Sequence, residues 1–189
     1  MRLAVTDDCD LRSLEESDAQ ELYALVDANR SYLAEWLPWA AGQTLEETAE
    51  FIRKTRKQLE DNDGLQGALV LDGRMVGAGG LVGIEWEARK TGIGYWLAEE
   101  HQGRGLMTRA VRAMTDYAFD ELELNRVEIQ VGTNNHRSRA IPERLGFQQE
   151  GVLRDYERVG DRYLDIVVYS LLASDRPPVS SRPGPATAS

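Results

Sequence analysis

The spacing of hydrophobic positions changes several times along the chain, and each change marks an element. Arg2 to Val5 and Asp10 to Leu14 are short alternating runs around an Asp-rich turn and predict two strands. Ser17 and Gln20 have the spacing of a capping box. Ala19, Leu22, Leu25 and Val26 then recur on one helical face, which predicts a helix ending near Asn29. Thr44 and Glu47 repeat the capping pattern and open a charged helix that reaches Leu59, with Asp61 to Gly64 as its stop. In GALVLDGRMVGAGGLVGI two apolar runs meet at Asp72-Gly73, residues that accept the positive φ angles of a two-residue turn, so this stretch predicts a hairpin. Glu85 to Lys90 reads as a longer turn and Thr91 to Leu97 as the next strand.

Ala110, Val111, Met114, Tyr117 and Ala118 stripe a helix to Glu121, a core-facing pattern. Arg126 to Val131 alternates as a strand, with Val127, Ile129 and Val131 on one face. TNNHRSRAIPERLGF predicts a loop and a short helix closed by Gly146, with Pro142 early in the helix, where a missing N–H matters least. Phe147 to Leu153 and Tyr163 to Leu172 supply two more strands. From Ser174 onward, Pro and Ser dominate and little remains to bury, which predicts a disordered tail over 174–189 behind one domain over 1–173. The order of elements describes a mixed α/β (α+β) fold, a sheet flanked by helices, with no internal repeat.

Composition narrows the function classes. A chain of 189 residues, 42% hydrophobic, can bury one good core. No run approaches the roughly 18 apolar residues of a membrane span, and MRLAVTDDCDLR lacks the basic and apolar regions of a secretory signal, so a cytoplasmic protein is expected. Cys9 is the only cysteine, which excludes intramolecular disulfides and a thiolate metal cluster. The two histidines, His101 and His136, read as exposed loop residues with no partners at ligand spacing, so no metal is expected. A net charge of −10 argues against general nucleic-acid binding and suits an amine-bearing partner, although acidity also serves solubility alone.

Two stretches carry candidate chemistry. In GYWLAEEHQGRGLMT, Gly94 to Thr108, a strand leads through an acidic turn into a loop whose Gly103 and Gly105 let several N–H groups converge at the start of a helix. Such a mouth carries partial positive charge and suits a phosphate, while the same two glycines also suit an ordinary strand-to-helix turn. In SYLAEWLPWA, Trp36 and Trp39 flank Pro38 and either cap the core or line a groove for a substrate chain.

With GYWLAEEHQGRGLMTRA followed by NRVEIQVGTNNHRSRAIPERLGF, the chain resembles the GCN5-related N-acetyltransferases (GNAT), in particular the RimL- and RimJ-like branch that acetylates ribosomal-protein N-termini. The resemblance covers Asp10 to Leu172. It implies a mostly antiparallel sheet splayed at an acetyl-CoA site. The family's Q/R-x-x-G-x-G/A signature falls on Gln102, Gly103, Arg104, Gly105, Leu106 and Met107, followed by Thr108, as the cofactor-binding loop. Met107 departs from the usual last residue and is compatible with binding if its side chain points away from the phosphates. The resemblance further implies that Tyr95, Trp96 and Leu97 lend backbone groups to the pantetheine arm, that Asn135 of an N-x-x-S element bonds the same arm, and that the protein is a homodimer.

Transfer of acetyl to an amine requires a neutral nucleophile, a stabilised oxyanion and a proton donor for the departing thiolate. The resemblance assigns the donor to Ser138, where spacing alone reads a helix cap; Tyr95, Tyr156 and Tyr163 are rivals for the same role. It assigns the base to Glu157, after the penultimate strand, where spacing alone reads a loop glutamate paired with Arg154 or Arg158. Many relatives carry an acid in the strand before the glycine loop, but Gly92 stands there, and Glu85 is the reserve. No Gly-x-Ser-x-Gly elbow or placed cysteine supports an acyl-enzyme, so direct attack in a ternary complex is expected. Trp36, Trp39 and Glu85 form the acceptor side in this reading. The acceptor is a protein N-terminal α-amine, with a polyamine, an antibiotic or another small amine as the alternative, and a non-catalytic acyl-CoA-binding protein as the rival outside enzymes.

Overall fold

Asp72 and Gly73 adopt φ of 50° and 77°, the two positive values a primed turn demands, and they join β3 (Leu65–Leu71) to β4 (Arg74–Glu85) as the sequence predicts. The structure, a computed structural model, describes residues 1–176. Before this hairpin come β1 (Arg2–Thr6), β2 (Cys9–Ser13), α1 (Ala19–Ala28), the single turn α2 (Arg30–Leu33) and α3 (Leu45–Glu60). After it come β5 (Lys90–Leu97), α4 (Leu106–Asp120), β6 (Arg126–Gly132), α5 (His136–Arg144), β7 (Gln148–Val159) and β8 (Arg162–Leu172).

The strands form one sheet in the order β1-β2-β3-β4-β5-β6-β8-β7. Every pairing is antiparallel except β5 with β6, which run parallel for three pairs, Lys90 with Arg126 to Gly92 with Glu128. Beyond Gly92 the two strands part. β6 continues to Gly132 against β8, and β5 continues to Leu97 against β4, so an opening lies between Ile93–Leu97 and the second half of β6. This is the splayed, mostly antiparallel sheet that the resemblance implies.

The alternation of each strand assigns its two faces. Ile93, Leu97, Val127, Ile129, Val131, Val167 and Tyr169 are buried beneath α4 and α5 in the main core. On the other face, Leu22 of α1 and Ile52 of α3 cover Ala68 and Met75. That second layer stops short of β6 and β8, and Val82, at 46% exposure, marks its edge.

Several sequence expectations are corrected. Ser17 does not open α1 with a capping box: Asp18 is the N-cap residue but no side chain caps the helix, and the Asp18 carboxylate instead accepts the Glu15 N–H at 2.8 Å, closing the 3₁₀ turn Glu16–Asp18, and is gripped by both terminal nitrogens of Arg12 at 2.7 and 2.9 Å. Arg12 on the neighbouring strand thus holds the carboxylate from across the fold. Pro142 is the seventh residue of α5 rather than an early one. β7 runs past Leu153 to Val159, because a register shift between Leu153 and Glu157 lets the chain absorb an irregularity and resume pairing with β8. At the end of the described chain, Ala173–Asp175 form a 3₁₀ turn, and Arg176 pairs with Asp120 at 2.8 Å and lies 4.9 Å from the Phe119 ring centre. The first residues of the stretch read as tail are therefore docked on α4, and the rest of that stretch lies outside the described residues.

Candidate active site

Gly103 and Gly105, with φ of 76° and 70°, fold the loop so that α4 begins at Leu106 with Gly105 as its N-cap and no side chain capping it. The first turn holds no acidic residue, and Arg104 and Arg109 stand beside it, the latter donating to the Arg104 carbonyl at 3.2 Å. An added Cβ at Gly103 would meet nothing within 4 Å, so the mouth is open. Leu106 and Met107 are buried at 4% and 6% in the main core. The Met107 side chain therefore points away from the mouth, and the departure from the family's last signature residue leaves the loop free. These features fit a pyrophosphate.

The opening between β5 and β6 supplies the second part of the site. Ala98 donates to the Val76 carbonyl at 2.8 Å. Alternate residues of an antiparallel strand direct both main-chain groups to the same neighbour, so Trp96 and Gly94 also face β4, and the main-chain groups of Tyr95 and Leu97 face the opening. The Leu97 carbonyl there accepts from Gln102 Nε2 at 3.3 Å. Gln102 Oε1 in turn accepts from Arg137 Nη1 of α5 at 2.9 Å. Gln102 thus brackets the loop to both sides of the opening. Sequence reasoning placed Gln102 in the loop but missed Arg137, whose role depends on the opening rather than on any local pattern.

At the far side, Asn135 is the N-cap of α5, its Oδ1 accepting the Ser138 N–H at 3.1 Å. The capping role that spacing allowed to Ser138 belongs to Asn135. Ser138 Oγ instead lies 3.1 Å from Tyr95 OH, which also donates to the Ser138 carbonyl at 3.1 Å. Burial pushes the Tyr95 phenol well above its ordinary range, opposed in part by the hydrogen bond to Ser138.

Glu157 lies within β7 rather than in a loop after it, paired across the ladder with Leu164 of β8. It is half-buried. Arg158 instead bonds the Gly160 carbonyl and approaches Asp161 at 3.7 Å, and no hydrogen bond or ion pair engages the Glu157 carboxylate among the described residues. A Cβ on Gly132 would stand 3.3 Å from the Trp36 ring and 3.9 Å from Leu164 Cδ1. Ladder partners share a face, so Glu157, Leu164 and Trp36 converge at the Gly132 end of β6 on the face opposite α4, where the Trp36 segment covers the sheet. Ser138 stands at that same end, because α5 follows Gly132 after a three-residue turn. Arg162 of β8 donates to the Glu35 carbonyl and straps the Trp36 segment over the sheet. Trp39, 42% exposed, lies 6.5 Å from Trp96.

Glu85 is not brought to this cluster. Its carboxylate pairs with Lys90 Nζ at 3.1 Å, at the opposite end of β5 and about 16 Å along the strand from Tyr95. It does line a groove of about 370 Å³ on the uncovered face, with Val82, Gly92, Gly94, Glu128 and Gln130. His101 is a correction of another kind: it is largely enclosed, with Nε2 3.2 Å from Glu100 and Nδ1 buried without a hydrogen-bond partner. His136 is the exposed first residue of α5.

Behind the groove, Arg126 Nε bonds Glu128 at 2.7 Å and Nη1 bonds Glu150 at 2.7 Å, while Ser170 donates to Glu150 at 2.8 Å. The Arg126 guanidinium, and then the Ser170 hydroxyl, hold the Glu150 carboxyl down at about 2. A depressed folded-state pKa stabilises the fold above the ordinary value of 4.5, and that contribution is lost as pH falls toward about 2. Glu150 is 44% exposed, so Glu150→Gln is expected to cost only about 1 kcal/mol at pH 7. Urea unfolding should show the gap to wild type narrower at pH 3 than at pH 7; an unchanged gap would remove the ion pair as its source.

Comparison with known proteins places this geometry. The profile of the Acetyltransferase (GNAT) domain matches residues 9–148. YdaF of Bacillus subtilis (strain 168), which carries the provisional name ribosomal N-acetyltransferase, is 41% identical over 164 residues, 86% of this chain and 90% of its own. The ribosomal-protein-serine acetyltransferase of Escherichia coli (strain K12) is 28% identical over 175 residues, 89% of this chain and 94% of its own. Among solved structures, the ribosomal L7/L12 α-N-protein acetyltransferase RimL in complex with coenzyme A superposes with a TM-score of 0.88 over 93% of this chain and 100% of its own; at 24% identity this likeness is one of fold.

Proposed function

The chain belongs to the GNAT acetyltransferase family, and from that premise we propose that this acetyl-CoA-dependent N-acetyltransferase acts on the N-terminal α-amine of a protein, a ribosomal protein beginning with serine. Acetyl-CoA supplies the acetyl group as a thioester and leaves as a thiol. The N–H groups of the Gln102–Thr108 loop would hold its pyrophosphate, and the strand edge of Tyr95 to Leu97, with Asn135, its pantetheine arm. Glu157, directly or through a water, takes the proton of the acceptor ammonium. The Leu97 N–H, facing the opening, donates to the developing oxyanion, and Ser138 donates to the departing sulfur. An α-ammonium group ordinarily titrates at about 8 and a lysine at about 10.4, so one carboxylate is a sufficient base at neutral pH.

The observation that carries the choice of acceptor is the charge of the groove. Both carboxylates that line it are already paired, Glu85 with Lys90 and Glu128 with Arg126. A polyamine needs a second, free anion to read its second ammonium, whereas a peptide presents one ammonium followed by neutral backbone. The two named ribosomal relatives agree with that preference. A free-thiol assay with acetyl-CoA tests it: release with a serine-initiated peptide and little with spermidine is the expected result. Release with spermidine alone would transfer the acceptor to the small amines, and no release with any amine would leave an acyl-CoA-binding protein.

Trp39 is expected to meet the acceptor. Trp39→Ala should raise the peptide KM about tenfold, the loss of one aromatic anchor, with the KM for acetyl-CoA unchanged. Equal loss of both, with a lower melting temperature, would make the residue part of the core. No helix among the described residues is long and apolar enough to cross a membrane. A cytoplasmic location and, by family resemblance, a homodimer complete the proposal, and sedimentation equilibrium checks the latter.

A further inference from the structure

Pro142 lies late in α5, where its missing N–H removes the bond that a continuous helix would donate to the Ser138 carbonyl four residues earlier. A partly buried carbonyl deprived of its helical donor needs another. Tyr95 is that donor: its hydroxyl crosses the opening between β5 and α5 and reaches the Ser138 carbonyl at 3.1 Å. The same phenol oxygen is 3.1 Å from Ser138 Oγ. A phenol has one proton and a carbonyl can only accept, so the Tyr95 proton is committed to the carbonyl and Ser138 Oγ–H is the donor in the second bond. Tyr95 is seated by what surrounds it. Gly79 on β4 leaves it room, since a Cβ there would stand 3.4 Å from Tyr95 Cβ and 3.2 Å from Met114 Cε. Asn135 fixes the Ser138 N–H from the other side.

We infer that Tyr95 is a positioning residue for Ser138: the carbonyl vacated by Pro142 anchors the phenol, and the phenol holds the Ser138 hydroxyl at the opening with its proton parked on a neutral acceptor. The inference rests on the proposed role of Ser138 toward the departing sulfur. Oγ–H then needs only to rotate about the Cβ–Oγ bond to turn from the phenol to the sulfur, with no heavy atom moving. Burial keeps the phenol protonated, so Tyr95 holds and does not itself titrate at neutral pH. The arrangement also gives Pro142 a use. A helix that kept its bond at residue 142 would turn the Ser138 carbonyl away from β5, and nothing would then fix the phenol beside Oγ.

The test is the kcat penalty of Tyr95→Phe for a serine-initiated peptide in three backgrounds: wild type, Pro142→Ala and Ser138→Ala. In wild type kcat should fall about tenfold with the KM for acetyl-CoA within about twofold. With Pro142→Ala, where residue 142 regains an N–H for the carbonyl, the penalty should shrink to about threefold or less. With Ser138→Ala, where there is no hydroxyl to hold, it should vanish. Equal penalties in all three backgrounds would make Tyr95 an ordinary packing residue and overturn the inference, as would no penalty in wild type. Should the single variant fail to fold, the comparison within the Pro142→Ala background, where the carbonyl is satisfied, decides the same question. If Ser138→Ala itself leaves turnover unchanged, the proposed role of Ser138 fails and takes this inference with it. A slow Ser138→Ala enzyme with additive penalties sinks the Tyr95 inference alone.

Discussion

Glu157→Gln is expected to lower kcat for peptide acetylation by about 10²-fold or more, with the KM for acetyl-CoA little changed. The substitution keeps the shape of the side chain and removes only its basicity. Because no cation or donor engages the carboxylate among the described residues, nothing structural should be lost with the charge. The pH profile separates this role from others. At pH 7 most of an α-amine is protonated and a base is needed to accept its proton; above about pH 9 the amine is already neutral, so the deficit of the Gln variant should shrink there. A deficit that is constant from about pH 7 to about pH 10, or a kcat within a factor of about two of wild type, would remove Glu157 as the base and redirect attention to a water held by other groups.

Gly80→Ala is expected to destabilise the fold by about 3 kcal/mol or more. Gly80 sits in mid-β4, opposite Gln66 on one side and Gly94 on the other. A Cβ there would stand 2.1 Å from the Leu65 carbonyl oxygen and 2.5 Å from Gln66 Cα. Both are backbone atoms of a buried strand, so relief requires β3 and β4 to separate, with loss of ladder hydrogen bonds. Gly151→Ala is the control: nothing lies within 4 Å of its Cβ position and its φ is not in the left-handed region, so a change within about 0.5 kcal/mol is expected. Denaturant midpoints for the two variants check the pair, and equal midpoints would show that the sheet yields at Gly80 more easily than its contacts imply.

Elements whose causes are local were legible in the sequence. The Asp72-Gly73 turn, the Thr44–Glu47 capping box and the apolar stripe of α4 each lie within a few residues of the atoms that stabilise them, and all three are present. The glycine loop was legible for the same reason. Features whose causes lie across the fold were not. The Asp18 carboxylate closes the turn before α1 with Arg12 of β2 bonded to it, and the Ser138 carbonyl that Pro142 leaves without a helical donor accepts from Tyr95 of β5. Glu157 reads as a loop residue by its charged neighbours, yet pairing with Leu164 carries β7 through it. Of the site, residue identities came from local patterns and from family resemblance; their grouping at the Gly132 end of β6 came only from the register.

The short parallel contact between β5 and β6 has a consequence for the order in which the chain folds. β1 to β5 lie side by side in the sheet in their sequence order, so this half is a meander in which each strand meets its predecessor, although the α1–α3 segment separates β2 from β3. The β7–β8 pair is likewise a local hairpin. The two halves meet as strands over three residue pairs only, and α4, whose buried face touches residues from both, is the element that must dock to unite them. Contacts close in sequence cost less loop entropy than distant ones, so each half is expected to gain its hydrogen bonds before the seam between them forms. The slow, late event in folding would then be assembly of the very opening proposed to hold the acyl donor.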